Sequence, residues 1–104
     1  MNQEPMNRLA VSPDLLEFVK ALASESRMTI LLLFLDGQAR TVNQISEAVG
    51  VGQPATSEHL ALMKRAGVLL SEKRGKEVYY HPNRLQIIHF LETLSTLLKQ
   101  CCET

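Results

Sequence analysis

The stretch GQPATSEHLALMKRAGVLLSEKRGKEVYY, residues 52–80, sets three patterns end to end. Gln53 and Pro54 open a helix, since proline is tolerated in a first turn whose N–H groups lack helical partners. At 100° per residue, Thr56, Leu60 and Met63 fall on one side and are expected to pack inward. Gln53, Ser57, Ala61, Lys64 and Arg65 fall on another side, with Glu58 at its edge and His59 beside the apolar stripe. Gly67 ends the helix. VLLSEK and EVYY then have strand composition on either side of the glycine turn RGK, which reads as a β-hairpin closed by His81-Pro82.

Upstream, TVNQ at 41–44 matches a capping box, with Thr41 as cap and Gln44 reaching back. Val42, Ile45 and Val49 share a face of the helix it opens, and GVG at 50–52 makes a tight turn. Ser24 caps an earlier helix that ends at Asp36-Gly37. Its Met28–Leu35 stretch is apolar nearly all round, as for a helix buried in a core. SPD at 12–14 starts the first helix, with Leu15, Phe18, Val19 and Leu22 as its stripe. Downstream, Asn83 caps a last helix on which Ile87, Leu91, Leu94 and Leu98 recur, widened by Leu85, Ile88 and Phe90. The expected fold is mainly α with a β-hairpin: five helices and two strands. Residues 1–12 form a flexible tail, 13–100 one domain and 101–104 a dithiol tail.

At 104 residues the chain suits one domain of modest burial, so spare apolar faces suggest self-association. MNQEPMNRLAVSP lacks the apolar core of a secretory signal, and ILLLFL at 30–35 is too short to span a bilayer. A cytoplasmic protein without a membrane partner is expected. Net charge is zero, but Lys64, Arg65, Lys73, Arg74 and Lys76 against Glu72 give +4 within thirteen residues, leaving −4 elsewhere. Such a local patch steers a neutral protein towards phosphate.

Two helices joined by a glycine-containing turn form the helix-turn-helix pattern, whose second helix enters the DNA major groove. The candidate DNA-binding set is Gln53, Thr56, Ser57, Glu58, His59, Lys64, Arg65, Lys73, Arg74 and Lys76. Gln53 suits an adenine edge and Ser57 a base or phosphate. Lys64 and Arg65 suit phosphates. Glu58 repels phosphate but accepts from a cytosine amino group. His59 belongs to the recognition surface or to its packing. The basic hairpin tip suits the backbone or a minor groove. A protein-binding module on the same fold is the alternative. A dithiol redox enzyme is a third class, but the chain has no C-x-x-C, nucleotide-binding glycine motif or base placed by sequence near the thiols.

ALASESRMTILLLFL, TVNQISEAVGVGQPATSEHL, LMKRAGVLLSEKRGKEVYY and the closing amphipathic helix, over residues 14–100, together resemble the winged helix-turn-helix repressors of the ArsR/SmtB family. The run HL..MKRAGVL before a basic hairpin ending in YY is the most specific part. The resemblance implies a homodimer that represses a promoter through an inverted-repeat operator in double-stranded DNA. It implies release on sensing metal, metalloid or oxidant, and a dimer interface built from the first and last helices. Leu15, Phe18, Leu22, Ile87, Leu91, Leu94 and Leu98 are then the interface candidates.

Arsenic and cadmium members of that family carry cysteines where this chain has TVNQI, and the zinc positions of other members fall on Asn83, Leu85, Thr96 and Lys99. No metal is expected at either family site. Cys101 continues the row 87, 91, 94, 98, with Cys102 beside it, and some arsenic-responsive members resemble this in a vicinal pair near the C-terminus. Two readings stand: arsenite binding or thiol oxidation at Cys101 and Cys102, or an inert chain end. His81 and His89 lack a paired ligand spacing, so neither is expected to bind metal.

Overall fold

A computed structural model describes residues 12–101. The expected tail lies outside these residues, apart from Ser12, as do Cys102 and the rest of the C-terminal end. The elements run α1 (Pro13–Leu22), α2 (Glu25–Leu33) with a 3-10 turn over Phe34–Asp36, α3 (Val42–Val49), α4 (Gln53–Arg65), β1 (Leu69–Arg74), β2 (Glu77–Pro82) and α5 (Arg84–Cys101). This is a winged helix-turn-helix.

Local chemistry sets most boundaries. Ser12 accepts from the N–H of Leu15 and Ser24 from that of Arg27, each satisfying a first-turn donor. The capping box at Thr41 is complete: its hydroxyl takes the Gln44 N–H, and the Gln44 side chain takes the Thr41 N–H. Gly50 closes α3 at φ 72°, a left-handed conformation that glycine adopts without a Cβ clash. The turn into α4 is fixed by its carbonyl at Val51, which accepts from both Ser46 and Thr56 hydroxyls.

The core joins all five helices and the base of the hairpin: Leu15, Phe18, Ala21, Ile30, Phe34, Ile45, Leu60, Met63, Val68, Leu69 and Phe90. Phe18 of α1 and Phe90 of α5 have ring centroids 4.8 Å apart, which ties the first helix to the last. Arg40 forms an isolated bridge with Tyr80, its backbone exchanging two hydrogen bonds at 3.0 and 2.8 Å, and so anchors β2 beside α3. The Arg40 guanidinium pairs with Asp36 and donates to the Leu33 carbonyl. The hydrogen bond from Arg40 holds the Asp36 carboxyl down at about 2.

Three expectations need correction. The Met28–Leu35 stretch is not buried all round: Ile30 and Phe34 point inward, but Leu32 is 52% exposed and Leu35 80%. Both line an apolar groove of about 480 Å³ that they share with Ile87 and Ile88. Leu15 and Phe18 cannot serve a dimer interface, because the chain's own core already buries them, and Leu22 packs against that core. The apolar residues that α1 leaves outside are Leu16 and Val19. Finally, β2 runs through His81 to Pro82 and β1 takes in Arg74, so the turn shrinks to Gly75-Lys76. Gly75 supplies the positive φ, 62°, that a two-residue hairpin turn requires.

Candidate nucleic-acid interface

Helix α4 is set against the core through Thr56, Leu60 and Met63, all fully buried. That anchoring turns Gln53, Ser57, Glu58, Ala61, Lys64 and Arg65 to solvent. Gly52, its N-cap, has no side chain to offer, so the first-turn N–H groups of Gln53 and Ala55 lack both a helical and a side-chain acceptor. This end attracts anions through its free donors and the helix dipole. Lys64 and Arg65 occupy the last turn, where they complement the opposite end of the dipole.

The wing follows α4 as a two-stranded antiparallel ribbon, with Lys73 opposite Val78 and Arg74 opposite Glu77. Lys73 and Lys76 are exposed and make none of the ion pairs found among the described residues. Arg74 is engaged. Its Nε lies 3.2 Å from a Glu72 carboxylate oxygen, and its guanidinium sits 4.6 Å from the Tyr79 ring centroid. Hydrogen bonding from Arg74 lowers the Glu72 carboxyl below its usual range, with a smaller contribution from the nearby His81. The basic patch is thus partly neutralised within the wing, and its unpaired charge is carried by Lys73, Lys76 and the end of α4.

Two members of the expected set sit elsewhere. Thr56 is fully buried and spends its hydroxyl on the Val51 carbonyl at 3.2 Å, so it shapes the turn and cannot reach a base. His59 is half-buried, and its Nδ1 lies 3.3 Å from Nη1 of Arg27. Of the two roles open to His59, its ring therefore takes the packing one. Arg27 carries no sequence signal for this contact, since its ring partner lies 32 positions away. Val19, read with the inward stripe of α1, is instead 43% exposed, as is Leu16, because two apolar stripes overlap on that helix.

Among the described residues, no three His, Cys, Asp or Glu side chains come close enough to share a metal ion. No described helix is long and apolar enough to cross a membrane.

Residues 24–71, which span α2 to β1 and so include the turn and the whole of α4, match the bacterial regulatory protein, arsR family. A transcriptional activator, HlyU from Vibrio cholerae, is 30% identical over 100 residues, 96% of this chain and 90% of that one. The chain belongs to the arsR family. Its relatives are transcriptional regulators, not enzymes. The HTH-type transcriptional repressor SmtB of Mycobacterium tuberculosis is 41% identical over 64 residues, 62% of this chain, which spans only about half (47%) of that repressor's length. The solved structure of reduced HlyU superposes with a TM-score of 0.67 at 27% identity, over 99% of this chain and 100% of that one. The family match ends at β1, so the basic wing tip lies beyond it.

Proposed function

We propose that the chain is a homodimeric, sequence-specific transcriptional repressor that leaves its operator on an inducer signal. The observation that carries this is the exposed face of α4, polar at Gln53 and Ser57 and basic at Lys64 and Arg65, continued by a wing whose Lys73 and Lys76 make no ion pair among the described residues. A helix of this length, about 20 Å, fits the major groove while the wing tip follows the backbone. A neutral chain with a net +4 over residues 64–76 binds duplex DNA in a salt-dependent way. Such a regulator works in the cytoplasm.

The dimer is supported by α5. Beyond Phe90 none of its residues up to Gln100 is buried, yet Leu91, Leu94, Leu97 and Leu98 are apolar and 37–57% exposed. About two and a half turns of leucine-rich helix in water favour burial against a second copy. Leu16 and Val19 of α1 are further apolar residues open to a partner. A two-fold dimer reads an inverted repeat. One relative is named an activator and another a repressor, both names compatible with occupancy of an operator near a promoter.

The inducer reading rests on Cys101 and Cys102. Two adjacent thiolates can replace two oxygen ligands of arsenite. Alternatively, two thiols give up two electrons and two protons to peroxide, forming a disulfide and water.

Gel shifts on duplex selected from a random library by the protein itself test the first part. The expected result is binding that weakens steeply with salt. Absence of any duplex binding would favour a protein-binding module. DNA release by arsenite, peroxide or polysulfide, compared with a Cys101→Ser, Cys102→Ser double variant, tests the second part. Equal release from both proteins would make the thiols an inert chain end.

A further inference from the structure

Arg27 makes three side-chain contacts on two other helices. Its Nε donates to the Ala21 carbonyl at 2.7 Å and its Nη2 to the Lys20 carbonyl at 3.3 Å. Both carbonyls belong to the last turn of α1, where helix geometry leaves acceptors short of amide partners; the Lys20 carbonyl also takes the Ala23 N–H at 3.1 Å. The third contact, at 3.3 Å, joins Nη1 to Nδ1 of His59 on α4. An arginine only donates, so Nδ1 is the acceptor in this contact. The planar fork spans both helices at once, which a point charge on a flexible stem does not do. His59 follows Ser57 by two positions, about 200° around the helix, so the joint grips α4 from the flank away from its polar face.

We propose that Arg27 is a positioning residue for DNA recognition, holding α4 at a fixed angle to the helices that join the two subunits. The inference rests on the DNA-binding reading and adds a residue that touches no DNA. Its physical path is short and continuous. Phe90 of α5 packs on Phe18 of α1, the end of α1 is capped by Arg27, and Arg27 holds His59 of α4. In a dimer, the spacing and tilt of the two α4 helices must match successive major grooves. A loose joint lets each α4 rotate about its buried face, so fewer dimers present the matching geometry. The inducer reading gains a route, because a disturbance of α5 reaches α4 through packed rings and hydrogen bonds.

Capping α1 alone would be a structural role, and the experiment separates the two. Arg27→Lys keeps the charge but loses the fork. His59→Leu removes the acceptor and leaves the α1 cap intact. His59→Asn restores an acceptor close to the position of Nδ1. Affinity is measured on the selected operator and on a poly(dI-dC) duplex, with dimer dissociation and thermal unfolding recorded for each variant. Arg27→Lys and His59→Leu are each expected to weaken operator binding about tenfold, leaving poly(dI-dC) binding and the dimer constant unchanged. His59→Asn should recover most of the loss, and combining the two damaging changes should cost little more than one. The proposal is overturned if operator affinity stays at the wild-type value, if the losses only track unfolding or dimer dissociation, or if the two changes are additive. Failure of the unaltered protein to bind any duplex would instead remove the DNA reading, and this inference with it.

Discussion

Leu98→Ala tests the proposed dimer face. Leu98 is 57% exposed in the single chain, so it contributes little to the chain's own core. Full burial of a leucine is worth about 1.5–3 kcal/mol, and slightly more than half of that remains to be gained in a dimer. Truncation to alanine then costs roughly 1 kcal/mol in each subunit and about 2 kcal/mol per dimer, because a two-fold interface loses the group twice. At 1.4 kcal/mol per tenfold, the dimer dissociation constant should rise about 30-fold. Sedimentation equilibrium over a wide concentration range reads this directly, with circular dichroism showing that the helices remain. Leu94→Glu on the same face places an unpaired carboxylate in the seam at a cost of several kcal/mol, and should be monomeric throughout. Leu15→Ala gives the contrast. Its side chain is 2% exposed, so the loss of about 2–5 kcal/mol should appear in thermal unfolding. Wild-type dimer constants for both Leu98→Ala and Leu94→Glu would show that another surface joins the subunits.

Lys76→Ala should weaken all DNA sequences alike and flatten the salt slope by about one unit, whereas Gln53→Ala should relax sequence preference; equal loss of preference from both would contradict the division between wing and α4. Thr56→Val should leave DNA affinity unchanged while lowering stability by about 1 kcal/mol, since Thr56 contributes one hydrogen bond and no DNA contact. A specific loss of operator binding would return it to the recognition surface. The Asp36–Arg40 pair predicts an acid limb. The folded carboxyl is lowered from 3.8 to about 2, so its stabilisation is present above pH 4 and is lost as pH falls towards 2. Asp36→Asn should reduce the pH dependence of unfolding in that window and leave it unchanged near neutrality.

Features with local causes were legible in the sequence. Thr41 and Gln44 satisfy each other across three residues, and the hairpin is declared by one glycine between two strand-forming runs. The inward stripe of α4 was legible too, because Thr56, Leu60 and Met63 leave one choice of face. On α1 the sequence offers Leu15, Leu16, Phe18, Val19 and Leu22, which make two overlapping stripes. Which stripe turns inward is decided by Phe90, a residue 72 positions beyond Phe18, and no local pattern carries that information. Leu32 and Leu35 were misread for a related reason: composition reports how apolar a helix is, not how many neighbours the fold gives it. Nothing local marks Arg27, because two of its acceptors are backbone carbonyls and the third is a ring 32 positions away.

The zero net charge bears on how a DNA-binding dimer of this chain would be controlled. Each subunit offers few unpaired cations to DNA, since Arg74 is shared with Glu72, and the polar face of α4 includes the carboxylate of Glu58. A phosphate-facing surface of this composition gives a single subunit weak binding to any sequence. In the proposed complex Glu58 would add selectivity, since a carboxylate is repelled by the backbone and rewarded only where a donor such as a cytosine amino group faces it. Useful affinity then depends on two subunits binding together, because the second α4 engages at a high effective concentration once the first is bound. That advantage disappears if the two helices lose the spacing of successive grooves, even when each retains all its own contacts. Control therefore needs no blocking of the DNA surface. A modest change at the exposed end of α5 is enough, provided that α1 and Arg27 keep α4 rigidly coupled to it.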